Sequence, residues 1–161
     1  MDKYKIILKN IDNKNFEEAE KICNKIKDLE KDHIALNLLG LSQIKQNKYN
    51  LAEKNFLKSS MINENFEASI ENLFLIYLRQ KKIPKMLFCA KKLVNLNKNM
   101  PDYNYFLALA FELDYAYDDA IKLYEFLFNF LIIFKNTLSL RSYCFPCISC
   151  PIFRIIFSKL H

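Results

Sequence analysis

Residues 36–56 read LNLLGLSQIKQNKYNLAEKNF. Leu36, Leu39 and Gly40 stand three and four residues apart, the polar break Gln46-Asn47-Lys48 interrupts them, and Tyr49, Ala52 and Phe56 restore helical spacing after it. This predicts two short amphipathic helices joined by a tight turn. The unit recurs along the chain. Small or unbranched apolar residues stand at Ala19, Ala52, Met86 and Ala120, at intervals of 33, 34 and 34 residues, and Cys23, Phe56, Ala90 and Tyr124 follow each by four. Polar breaks return with the same period at Asn13-Lys14-Asn15, Gln80-Lys81-Lys82 and Asp114-Tyr115-Ala116. A helix pair of about 34 residues cannot bury its apolar face alone and stacks on copies of itself, which predicts an all-α solenoid.

Between the pairs, Glu30-Lys31-Asp32, Asn63-Glu64-Asn65 and Asn97-Lys98-Asn99 supply a second kind of turn, and Pro101 suits the first turn of the helix that follows. Asn and Asp are expected to take the left-handed turn positions that glycine holds in other proteins. Gly40, Ala108 and Ala120 let a neighbour's larger side chain fit beneath them where helices cross closely. Phe74 and Met86 break that rule together, which predicts a third helix pair slightly opened or rotated relative to its neighbours.

The second unit resembles the tetratricopeptide repeat family, whose pattern is an aromatic, Leu-Gly and Tyr in the first helix, then Ala, Phe and a terminal Pro. Leu36, Leu39, Gly40, Tyr49, Ala52 and Phe56 match its spacing, with Leu36 in place of the leading aromatic and Gln43 in place of the tyrosine. The third unit offers Ile70, Leu73, Phe74, Tyr77, Met86 and Ala90; the fourth offers Leu107, Ala108, Phe111, Ala120 and Tyr124, with Asn104 in the leading aromatic place. In the first unit only the second helix is clear, through Ala19 and Cys23. The resemblance covers about residues 1–128. It implies a right-handed helix-turn-helix solenoid of about 3.5 to 4 such units, followed by an irregular apolar tail over residues 129–161.

By the same resemblance, the first helices line a concave groove that grips a peptide, and the second helices form the convex back. The implied groove residues are Asn37, Leu41, Ile44 and Lys45, then Glu71, Leu75, Leu78 and Arg79, then Asp102, Tyr105, Leu109 and Glu112. Their charge is mixed. Members that clamp a terminal carboxylate use Lys, Arg and Asn, whereas Leu8 and Leu38 stand here where such side chains are needed, so a carboxylate clamp is not expected. The implied function is a non-catalytic scaffold for a protein or peptide partner, without cofactor. The alternative is an accessory repeat region preceding a catalytic domain, as similar repeats do in glycosyltransferases and sulfotransferases.

Composition narrows the choice. Gly40 is the single glycine, so no phosphate-cradling or dinucleotide-binding loop is present. The net charge of +6 is uneven: all 18 acidic residues precede residue 126, and the tail carries Lys135, Arg141, Arg154 and Lys159 unopposed. The repeat region is therefore nearly balanced, and its lysines alternate with acids as in Glu17-Glu18-Ala19-Glu20-Lys21, which speaks against nucleic-acid binding. The N-terminal apolar run is too short for a signal peptide, and no stretch reaches the ~20 apolar residues of a membrane span. A cytoplasmic protein is the expectation, with membrane attachment only through the tail.

Cys144, Cys147 and Cys150 have the spacing of metal-binding thiolates, yet a fourth ligand is missing and only His161 lies near in sequence. Free thiols are the expectation, and no metal site. His33 has no nucleophile at motif spacing and reads as a helix-start residue. The tail also lacks every Ala, Val, Gly, Asp and Glu from residue 126 onward, five residue types whose codons begin with G. Out-of-frame translation and a divergent capping segment both account for that.

Overall fold

The computed structural model describes residues 3–137. Over this span the chain forms α1 (Lys3–Asp12), α2 (Phe16–Asn24), α3 (His33–Lys45), α4 (Tyr49–Ile62), α5 (Glu67–Arg79), α6 (Ile83–Leu96), α7 (Pro101–Leu113) and α8 (Tyr117–Thr137). A 3-10 turn at Leu29–Lys31 precedes α3, and no strand occurs among the described residues. Each helix packs on the next in sequence, and the first helices α1, α3 and α5 also touch in turn. The result is an all-α solenoid of four stacked helix pairs. The first pair, of which the sequence made only the second helix clear, is complete.

The turns within pairs repeat at the level of the backbone. Lys14, Asn47, Lys81 and Tyr115 hold φ of 63°, 60°, 55° and 63°, the left-handed region, at the period of the repeat. Around Asn47, its N–H donates to Ile44 O at 2.9 Å and the Lys48 N–H donates to Gln43 O at 2.9 Å, the pair of bonds that closes a helix C-terminus. Lys82 to Tyr77 and Ala116 to Phe111, both 2.9 Å, copy the longer bond. The expectation that Asn or Asp would take left-handed positions is met within the pairs at Asn47 and, in the turn after the first pair, at Asp28 with φ of 59°; Lys and Tyr take the other positions within pairs, because the two closing bonds impose the conformation whatever the side chain.

In the second, third and fourth pairs, one large and one small side chain stand at the same two register positions. A Cβ on Gly40 would lie 2.6 Å from the Phe56 ring, so Phe56 fills the hollow that glycine leaves. One period later the sizes are exchanged: Phe74 takes the place of Gly40 and Ala90 that of Phe56, and both are fully buried in one core. In the fourth pair Ala108 and Tyr124 restore the second pair's order, both fully buried. The large side chain at Phe74 is thus accompanied by a small one at Ala90.

The joints between pairs divide into two kinds. At the first, Glu20 on α2 accepts from Lys48 Nζ at 2.8 Å, Gln46 Nε2 at 2.9 Å and Gln43 Nε2 at 3.0 Å. At the second, Glu53 on α4 pairs with Lys82 at 3.1 Å and Lys85 at 3.3 Å. Burial pushes both carboxyls up, but the bonds they accept outweigh it and hold them below the ordinary range. At the third joint, Leu87 and Ala116 stand where the carboxylate and lysine would fall. There the Phe74 and Phe106 rings stack at 4.4 Å, and Tyr103 reaches back to α5.

Helix α8 continues to Thr137, through residues 131–133 where the period predicts a polar turn. The remainder of the tail, with the three-cysteine run and His161, lies outside the described residues.

Candidate functional site

Leu8, Leu41, Leu75 and Leu109 occupy one register position on the four first helices, at the spacing of the repeat. Leu41 and Leu109 are half-buried against the core, whereas Leu8 is 43% and Leu75 48% exposed. Such apolar surface, aligned across successive helices, is what a partner can cover. Three residues on lies a second apolar row, Ile11, Ile44 and Leu78, each partly buried, which ends at Glu112.

The other candidates divide by position along their helices. Near the N-terminal ends, Asn37 is buried; its Oδ1 accepts from Ser69 at 3.2 Å and Asn72 at 3.0 Å. One period on, Glu71 Oε1 lies 2.7 Å and Glu67 Oε2 2.5 Å from the hydroxyl of buried Tyr103, whose ionisation is opposed by burial and then by both carboxylates. Asp102 stands half-buried beside Tyr103 on the first turn of α7. Tyr105 is half-buried against the Ala108–Tyr124 core. Near the C-terminal ends, Lys45 is exposed and the Arg79 guanidinium lies 4.7 Å over the ring of Tyr49, a cation–π contact. Glu112 accepts from the Tyr124 hydroxyl at 2.9 Å.

The structure therefore separates the sequence candidates. Leu41, Ile44, Leu75, Leu78 and Leu109 form apolar rows, Lys45 and Arg79 stand at one end of them, and Glu71 and Asp102 at the other. Asn37 is engaged inside the fold. Leu38, grouped with Leu8 in the sequence reading, is buried in the N-terminal core. Sequence reading passed over Glu67, whose role depends on Tyr103 arriving from the next pair, and Leu8 as an apolar member of the row. The four-leucine alignment at the repeat period was the signal for Leu8.

The two cysteines among the described residues, Cys23 and Cys89, are both buried. Burial pushes the Cys23 thiol up to about 12, with Glu20 and Asp32 adding to the shift, and pushes Cys89 up to about 11. Neither supplies thiolate near neutral pH. Among the described residues, no group of three His, Cys, Asp or Glu side chains could hold a metal ion, and no helix is long and apolar enough to cross a membrane. His33 begins α3, where Asp32 caps the helix by accepting from Ala35 N at 3.0 Å. Between the second helices α4 and α6 runs a cleft of about 380 Å³, with Leu57, Phe88 and Cys89 among its lining residues.

No protein-family model and no curated protein matches the chain. Among solved structures it is similar to MamA: one crystal structure superposes with a TM-score of 0.75 at 17% identity, over 87% of this chain and 78% of that one. Another gives 0.72 at 16%, over 79% and 75%. The MamA of Desulfovibrio magneticus RS-1, from its residue 41 onward, gives 0.68 at 16%, over 79% and 72%. At such identity the likeness is one of fold, a stack of tetratricopeptide-like helical repeats.

Proposed function

We propose that this chain is a non-catalytic interaction scaffold of the cytoplasm that seats a peptide or protein segment along the face formed by its first helices. The observation that carries the reading is the row Leu8, Leu41, Leu75 and Leu109, in register on four successive helices and open to solvent at Leu8 and Leu75. A stack of packed pairs presents such a row at fixed spacing, so binding does not first have to order it. The high thiol pKa values of Cys23 and Cys89 fit a role without covalent chemistry.

Peptides selected from a random library on the immobilised chain provide the test. They should lose at least tenfold in affinity on Leu75→Glu and keep it on Phe88→Glu, which alters the convex back. The opposite pattern would move the interaction to the cleft between α4 and α6.

A further inference from the structure

The second helices carry a joint surface that runs one pair further than the joints do. Phe16, Tyr49, Ile83 and Tyr117 stand at one repeat position, and Glu20, Glu53, Leu87 and Ile121 at another, one turn on. In the first three pairs both positions are half-buried. The next pair lies over them: Arg79 sits over the Tyr49 ring, Lys82 and Lys85 hold Glu53, and Ile83 and Leu87 pack into the core that includes Tyr103 and Ala110 of the fourth pair. In the fourth pair Tyr117 is 54% and Ile121 50% exposed. The joint position is apolar there, as it is at Leu87, yet it stays open to water, and covering it is favourable.

We propose that residues 138–161 of the same chain seat on this face, so that the fourth pair is joined to its own tail. Charge singles out that occupant. Residues 101–130 carry Asp102, Glu112, Asp114, Asp118, Asp119 and Glu125 against the single base Lys122. Glu112 is engaged by Tyr124, Lys122 lies 3.4 Å from Asp119, and from the third pair Lys91 lies over the Phe111 ring. Asp118 and Glu125, three residues before Ile121 and four after it, flank it on the helix surface and have no ion pair among the described residues. Residues 138–161 hold Arg141, Arg154 and Lys159 and no acid, and 143–157 is apolar but for Ser149 and Arg154. Opposite charge and shared apolarity make the face and the segment complementary.

The segment also starts in the right place. It follows α8, whose last residue, Thr137, lies roughly 24 Å along the helix from Ile121 and roughly 30 Å from Tyr117. Residues 138–161 span about 36 Å even as a helix and more if extended, so they reach both. Attached to the surface it covers, the segment needs little intrinsic affinity.

The full chain tests this, 15N-labelled and carrying one nitroxide on Cys147, with Cys144→Ser and Cys150→Ser; Cys23 and Cys89 are buried and stay unlabelled. The amides of residues 117–121 should lose more than half their intensity relative to the reduced nitroxide. Ile121→Glu and Asp118→Lys/Glu125→Lys should each restore it, with the dispersion of the other amides reporting that the variants fold, and Phe88→Glu on α6 should not. Full intensity at 117–121 before any substitution, or a loss centred on Leu41 and Leu75, overturns the proposal. Broadening that survives Ile121→Glu overturns the apolar contact, and broadening that survives the charge reversal overturns the ionic one. In an equimolar mixture of 15N chain without nitroxide and unlabelled chain with it, the same amides should keep their intensity. Loss there puts the tail of a second copy on the face and overturns the assignment to its own.

Discussion

The second and third helix pairs share a period and a backbone but differ in where they put their bulk. In the second, the large ring sits on the second helix, with Phe56 over Gly40; in the third it sits on the first helix, with Phe74 opposite Ala90. The exchange reaches beyond each pair. Phe56 lies against Gly40 in its own pair and joins the core shared with the third, whereas Phe74, moved to the first-helix layer, stacks on Phe106 of the fourth pair. The carboxylate tie present at the first two joints is replaced by leucine at this third one. A repeat can thus conserve its geometry while changing the chemistry that joins one copy to the next.

Removing the ring tests the difference most severely. Phe56→Ala empties the space over Gly40 and should cost about 3–5 kcal/mol of unfolding free energy. Copying the third pair into the second, as Gly40→Phe/Phe56→Ala, should recover more than half of that loss, measured by urea denaturation. A double variant no better than Phe56→Ala would show that the two pairs are not interchangeable solutions.

The ionic tie comes next in size. Glu53→Leu gives the second joint the residue found at the third and should cost about 1–2 kcal/mol near pH 7, because a charge-assisted bond is lost. The pH dependence has a definite sign. A carboxyl whose folded pKa lies below its unfolded value contributes stability that is full well above pH 4.5 and is lost as pH falls through the folded value. Wild type and Glu53→Leu should therefore converge in thermal stability as pH falls below the ordinary carboxyl range. A gap that stays constant from pH 7 down through the ordinary carboxyl range and below it would assign the loss to packing alone.

The smallest expected effect concerns the turns. Lys81→Gly should raise stability by roughly 0.5–1 kcal/mol, since a side chain at positive φ is strained, and Asn47→Gly should change it much less. Equal shifts at the two positions would deny that the turns differ in strain.

The period, the helix pairs and the polar breaks were legible because apolar spacing and turn composition are local signals, seen clearly in Leu36, Leu39, Ala52 and Phe56. The exchange of Phe74 with Ala90 was not, because each substitution looks like a defect until its partner sixteen residues away is read with it. Lys81 and Tyr115 give no compositional sign of left-handed backbone; the closing hydrogen bonds of their helices impose it. Among the groove candidates, the leucines could be placed from register alone. Asn37 could not, since its fate depends on Ser69 and Asn72 from the following pair.

Contacts that run from each helix to its neighbours make the stack a spring rather than a block. Tension at its two ends would be carried in series, through joints whose stiffness responds differently to the surrounding medium. Salt screens the lysine–carboxylate joints of Glu20 and Glu53 and leaves the Phe74–Phe106 stack unaffected, so added salt weakens the first two joints relative to the third.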